Sequence, residues 1–97
     1  MLYALICTDK AHALQTRLDN RANHLEFLKA LGDSLKAAGP FMDDDGNMTG
    51  SLLVIEASNR DEILAISEED PYARAGLFES VEIRPWNWVL GSGPTKD

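Results

Sequence analysis

Leu2 to Cys7 is an unbroken apolar run that includes Tyr3 and Ile6, and the polar group Thr8-Asp9-Lys10 closes it. A short apolar stretch bounded in this way predicts a strand over Met1 to Thr8. Successive strand side chains point to opposite sides, so Tyr3, Leu5 and Cys7 share one face while Leu2, Ala4 and Ile6 share the other. Both faces are apolar and need cover, which places this strand in the middle of a sheet. Residues 9–19 are polar and mixed, with Ala13, Leu14 and Leu18 too sparse to define an element. A helix is expected from about Asn20 to Ala38, stopped by Gly39-Pro40. With His24 set to zero at about 100° per residue, Leu28 falls near about +40°, Leu31 near about −20°, Leu35 near about +20° and Ala38 near about −40°. His24 therefore lies on the buried stripe, flanked by Phe27 and Arg21.

The second half repeats the alternation. Phe41-Met42 opens a second strand, residues 43–47 (Asp-Asp-Asp-Gly-Asn) form a hairpin tip, and Ser51 to Ala57 is the return strand, apolar on both faces at Leu52-Leu53-Val54-Ile55. Ser58 and Asp61 resemble a capping box for a second helix through Ile63, Leu64 and Ile66, which Asp70-Pro71 ends. One further helical turn fits Pro71 to Gly76. A last strand is expected over about Leu77 to Leu90. Its apolar phase, set by Val81 and Ile83, changes at Trp86, Trp88 and Leu90, which predicts a kink or bulge at Pro85. The order β-α-β-β-α-β fits a ferredoxin-like α+β fold, a four-stranded antiparallel sheet with two helices on one face. The other face has no helix to cover it, so two sheets are expected to pack face to face in a homodimer.

Composition narrows the possibilities. Ninety-seven residues, 44% hydrophobic and 26% charged, fit one folded domain, expected over residues 1–90 with a flexible tail at 91–97. Nine Lys and Arg against 16 Asp and Glu give a net charge of −7, which argues against nucleic acid or an acidic membrane as partner. The longest apolar run is far below the ~20 residues of a membrane helix, and it lacks a basic leader region. With a single cysteine, Cys7, no internal disulfide can form, so a cytoplasmic setting is expected.

Candidate chemistry centres on His24, because imidazole exchanges protons near neutral pH and this one starts a stripe that faces the core. A histidine on an apolar face also fits plain burial with one hydrogen bond. Asp70 is the second candidate; its plainer role is to cap the turn that begins at Pro71. Tyr72, Arg74 and Arg21 are polar groups able to orient a substrate anion, with solvated surface roles or an ion pair as their alternatives. Cys7 sits in an apolar strand and fits core packing better than nucleophilic chemistry. A calcium loop beginning at Asp43 fails, since Met48 stands where glycine is required and Val54 where glutamate is required. No zinc spacing, phosphate-binding glycine loop or serine nucleophile elbow is present, and Trp86 with Trp88 fits packing better than base stacking.

Several stretches carry a resemblance when taken together: the N-terminal apolar strand, residues 21–25 (Arg-Ala-Asn-His-Leu), Ala38-Gly39-Pro40, Gly50-Ser51, Asp70-Pro71-Tyr72 with Gly76 and Phe78, and the run from Val81 to Trp86. The chain resembles the YciI-like, or YCII-related, family over nearly its whole length. That resemblance implies a ferredoxin-like protomer in a dimeric α+β barrel, with a His-Asp pair as the active site. It also implies lyase or dehydrochlorinase-like activity, such as removal of chloride from a chlorinated hydroxyhydroquinone. His24 matches the family histidine, Asp70 the aspartate before Pro-Tyr, and Ser51 a serine near the start of the third strand. The hairpin at 43–47 is shorter and more acidic than the family pattern, so substrate choice does not transfer.

The expectation is a small acid-base enzyme that needs no cofactor and no metal. His24 and Asp70 would be its catalytic dyad, and Arg21, Ser51 and Tyr72 its contacts to a small polar cyclic or aromatic substrate. The alternative is a non-catalytic homodimeric ligand-binding or accessory module, because one fold supports many functions.

Overall fold

The computed structural model describes residues 1–91, and the polar tail expected beyond them lies outside the described residues. Four strands, β1 (Leu2–Asp9), β2 (Leu35–Met42), β3 (Met48–Glu56) and β4 (Phe78–Trp86), form one antiparallel sheet in the order β2-β3-β1-β4. The two strands that are apolar on both sides, β1 and β3, occupy the centre, as their pattern requires. Helices α1 (Leu14–Ala30) and α2 (Arg60–Glu69) and the short α3 (Pro71–Arg74) complete the chain. One core joins Tyr3, Leu5 and Cys7 of β1 and Leu53 and Ile55 of β3 to Leu28 of α1 and Ile63 of α2. The long helices therefore share a sheet face, and the fold is the ferredoxin-like α+β arrangement.

Helix α1 differs from the expected span at both ends. It begins at Leu14, inside the stretch that looked too polar, and its first turns bury Arg17 while Leu14 and Leu18 remain about half exposed. It ends at Ala30 because Gly32, at φ +58°, takes the left-handed conformation that closes a helix. Gly39 and Pro40 are strand residues. Leu35 and Ala38, placed on the helical stripe by angle, lie in β2, which pairs with β3 from Leu35↔Ile55 to Met42↔Met48. Pro40 is accommodated because β2 is an edge strand.

The kink expected at Pro85 is absent: pairing runs through Leu2↔Trp86, Tyr3↔Pro85 and Ala4↔Arg84, and the irregularity lies at the other end, between Thr8 and Asp9. Val81 and Ile83 lie across from Cys7 and Leu5 on the helix side, whereas Trp86 lies across from Leu2 on the open side. The change of apolar phase thus marks a change of which face is greasy, and the register does not slip. The strand ends at Trp86, short of the expected Leu90, and Trp88 beyond it donates through Nε1 to the Gly91 carbonyl at 2.7 Å.

Helix α2 is capped one residue later than expected. The Glu62 N–H donates to Asn59 Oδ1 at 2.9 Å and the Ser58 N–H to Glu62 Oε1 at 3.2 Å. Asp70 leaves the helical path at ψ 124° and caps α3, accepting from the Tyr72 N–H at 2.9 Å.

Candidate active site

Asp70, held by its capping role, meets α1 at His24. The His24 Nδ1 and Asp70 Oδ1 atoms are 2.8 Å apart, and both side chains are buried. The same Oδ1 accepts the Tyr72 N–H, so it acts as an acceptor in both bonds. A carboxylate has no hydrogen to give, so Nδ1 is the donor of this pair, and Nε2 is the ring nitrogen that makes no hydrogen bond among the described residues. Tyr72 stacks on the imidazole with ring centroids 3.8 Å apart at 14°, and Phe78 meets the Tyr72 ring edge-on at 6.1 Å. The ring is thus fixed by a hydrogen bond in its plane and an aromatic face above it.

Two turns earlier on α1, Arg17 lies 3% exposed. Its Nε donates to Asp9 Oδ2 at 2.8 Å and its Nη2 to Asp9 Oδ1 at 2.9 Å, a bidentate pair that takes both carboxylate oxygens. Nη2 also donates to Ser51 Oγ at 2.9 Å, and the guanidinium carbon lies 4.8 Å from the Tyr72 ring centroid. Burial works against the Arg17 charge, but the Asp9 carboxylate outweighs it and holds the guanidinium above its ordinary pKa. Tyr72 is pushed up by burial, against the pull of the Arg17 and Arg21 cations, and so remains a neutral phenol at neutral pH. Ser51 reaches this position because Gly50 has no side chain: a Cβ there would collide with the Cys7 carbonyl on the neighbouring strand.

These groups surround a cavity of about 230 Å³ between α1 and the sheet. Arg17, Arg21, His24, Ser51 and Tyr72 supply its polar wall, and Leu25, Leu28, Pro40, Met48 and Leu53 are among its apolar lining. The space is modest: an apolar cavity of ~150 Å³ accepts benzene, and drug-sized ligands take at least ~300 Å³. One substituted ring is the natural scale. Arg21 is exposed at the rim, with no acid in salt-bridge range among the described residues.

His24, Arg21, Ser51 and Tyr72 therefore come together at the cavity with Asp70 behind His24, whereas Arg74, the further candidate, is exposed outside it and donates through Nε to the Glu68 carbonyl at 3.4 Å. Arg17 and Asp9 were missed, because a helix begun at Asn20 leaves Arg17 outside it. The available signal was the spacing Arg17, Arg21, His24, Leu28, which repeats at four, three and four residues along one helical face. Cys7 is buried in the core, and its thiol is pushed up to about 12, chiefly by burial and then by the negative charges of Asp70 and Asp9.

Fold and site together define a ferredoxin-like α+β protein with a buried histidine-carboxylate pair beside a ring-sized cavity. The YCII-related domain model matches residues 1–87, and the chain belongs to that family. It is 36% identical over 93% of its length to the whole of protein YciI from Escherichia coli, and 31% identical over the same share to the whole of an uncharacterized protein from Haemophilus influenzae. Among solved structures it is similar to the 5-chloro-2-hydroxyhydroquinone dehydrochlorinase TftG of Burkholderia phenoliruptrix, in complex with 2,5-dihydroxybenzoquinone. That match has a TM-score of 0.83 and 37% identity, covering 90% of this chain and 94% of the other. No helix among the described residues is long and apolar enough to cross a membrane.

Proposed function

We propose that the protein is a small acid-base enzyme in which His24 exchanges a proton with a small polar cyclic or aromatic substrate, oriented by Asp70. The supporting observation is the 2.8 Å contact between Asp70 Oδ1 and Nδ1 of His24, whose ring lines a ring-sized cavity. Asp70 sets the tautomer and stabilises the imidazolium that forms when Nε2 accepts a proton, and the same nitrogen then returns it as an acid. Ser51 and Tyr72 contact the ring, and Arg21 at the rim attracts an anionic substituent. Proton transfer of this kind needs no group beyond the side chains. A relative that acts on a chlorinated hydroxyhydroquinone supports the substrate class, so 5-chloro-2-hydroxyhydroquinone is the first compound to offer.

The test is chloride release and loss of substrate absorbance with wild type, His24→Ala and Asp70→Asn. A general acid-base group contributes about 10²–10⁴-fold, so each variant is expected to lose about a hundredfold or more in kcat with its fold intact. A His24→Ala protein as active as wild type removes catalysis from that residue. Saturable binding without turnover in wild type favours the ligand-binding module instead.

We also infer that the uncovered sheet face is closed by a second copy of the chain. Leu2, Ala4 and Ile6 of β1 share that face with Leu52 and Val54 of β3, Phe41 of β2 and Trp86 of β4. By the same register Glu56, Glu82 and Arg84 lie on this face too, and an apolar centre flanked by charged residues marks an association surface. Light scattering at micromolar concentration should give twice the chain mass, and a monomer mass overturns the assembly.

A further inference from the structure

A second hollow of about 230 Å³ adjoins the ring-sized cavity, lined by the loop between β1 and α1, by Leu14 and by the first residues of β3. Met48, half-buried at the start of β3, lines both spaces. The buried ion pair also runs between them: Arg17 lines the ring cavity, Asp9 lines the second hollow, and they meet at 2.8 Å. The two parts of this partition differ in stiffness. Arg17 and Asp9 are fixed by their paired hydrogen bonds, whereas Met48 carries an unbranched, flexible thioether. The hollow also differs from the rest of the molecule in charge. The chain has a net charge of −7, yet Lys10 and His12 are exposed here with no acid in salt-bridge range among the described residues. Asp9, the acid in the lining, gives both of its oxygens to Arg17.

We propose that this hollow is a second binding subsite, which takes the carboxylate end of a short side chain carried by the substrate ring, with Met48 as the movable partition that admits the chain. The proposal rests on the reading of the neighbouring cavity as the ring site. It narrows the substrate from a small polar ring to a ring bearing an anion on a short tether. Packed carbon atoms sit about 4 Å apart, so a tether of about three carbon–carbon bonds crosses the thickness of one side chain. Such a tether passes Met48 when the thioether turns aside, and the stiff Arg17–Asp9 pair stays in place. Beyond the partition an ammonium supplies charge and an imidazole a hydrogen-bond donor, a pairing suited to a carboxylate. No bond is made or broken at this subsite. Arg21, exposed at the cavity rim, is the rival anchor for the same anion, and substitution separates the two positions.

The test is calorimetric titration under nitrogen with benzene-1,4-diol, 3-(2,5-dihydroxyphenyl)propanoate and the matching propanamide. The amide has the shape of the acid without its charge. Contacts to exposed cations are weak, so wild type is expected to bind the carboxylate about three- to tenfold more tightly than the amide. In Lys10→Met/His12→Asn the two should bind alike; asparagine accepts the left-handed backbone that His12 adopts at φ +59°. Met48→Ile, close in volume but stiff at χ1, should weaken both tethered ligands about tenfold relative to benzene-1,4-diol, and Met48→Ala should strengthen them. Equal affinity of wild type for carboxylate and amide overturns the anion subsite and leaves the ring cavity standing. A preference kept by the Lys10/His12 double variant and lost in Arg21→Gln places the anion at the rim and overturns the subsite as well. Tethered ligands that follow benzene-1,4-diol in both Met48 variants overturn the partition. No binding of any of the three by wild type overturns the ring site and the subsite together.

Discussion

The layer between α1 and the sheet handles charge in two opposite ways within a few ångströms of chain. At the N-terminal end of the helix, Arg17 and Asp9 are buried as ions and tolerated because each satisfies the other in two hydrogen bonds. One strand position inward from the exposed Thr8, Cys7 belongs to the apolar half with Leu5, Leu28 and Ile63, and there burial keeps the thiol neutral. One half holds charge by pairing it and the other excludes it. Pairing buried ions contributes little or nothing to stability compared with apolar side chains of the same size, so the two halves differ in what they cost to bury.

Breaking the polar half should have the largest effect. Arg17→Met leaves a buried Asp9 carboxylate with no counterion, at an expected cost of about 3–5 kcal/mol, read from the urea midpoint at neutral pH. Removing both charges as Asp9→Leu/Arg17→Met should recover most of that loss or exceed wild type. A double variant as unstable as the single one would mean that the ion pair does hold the fold together.

The apolar half gives a smaller, pH-dependent effect. The Cys7 thiol ionises near 9.0 when exposed and near about 12 in the folded protein. Above the lower value the unfolded chain has released a proton that the folded chain keeps, so stability falls with rising pH until the folded thiol also ionises. The contribution is complete below about pH 8 and should shrink by about 1.4 kcal/mol by pH 10. Cys7→Ala should flatten that alkaline decline. An unchanged slope would show that the apolar half does not exclude charge at this position.

How much of this was legible in the sequence follows the same division. Apolar patterning was sufficient for β1, β3 and α2, because their burial alternates or recurs at the regular period. It misplaced the start of α1, where the helix inverts the usual polarity by burying Arg17 and exposing Leu14 and Leu18. It also extended α1 over residues 35–38, whose Leu-Lys-Ala-Ala are good helix formers drawn into β2 by pairing with β3, with Gly32 the unheeded stop. His24 and Asp70 were found because one lies on the buried stripe and the other precedes proline, while the family resemblance joined them. Asp9 looked like a strand end, and only the fold shows it facing Arg17.

Asp70 Oδ1 serves two masters, receiving the Tyr72 amide hydrogen and the imidazole hydrogen at once. The carboxylate is therefore aimed before any ligand arrives, by a main-chain group that has no rotamer to choose. The Tyr72 amide becomes an internal spectator of the His24–Asp70 pair: whatever alters the charge on His24 is felt through one shared oxygen by a backbone proton. That proton's resonance offers a view of the proton inventory of the site without any label on the substrate.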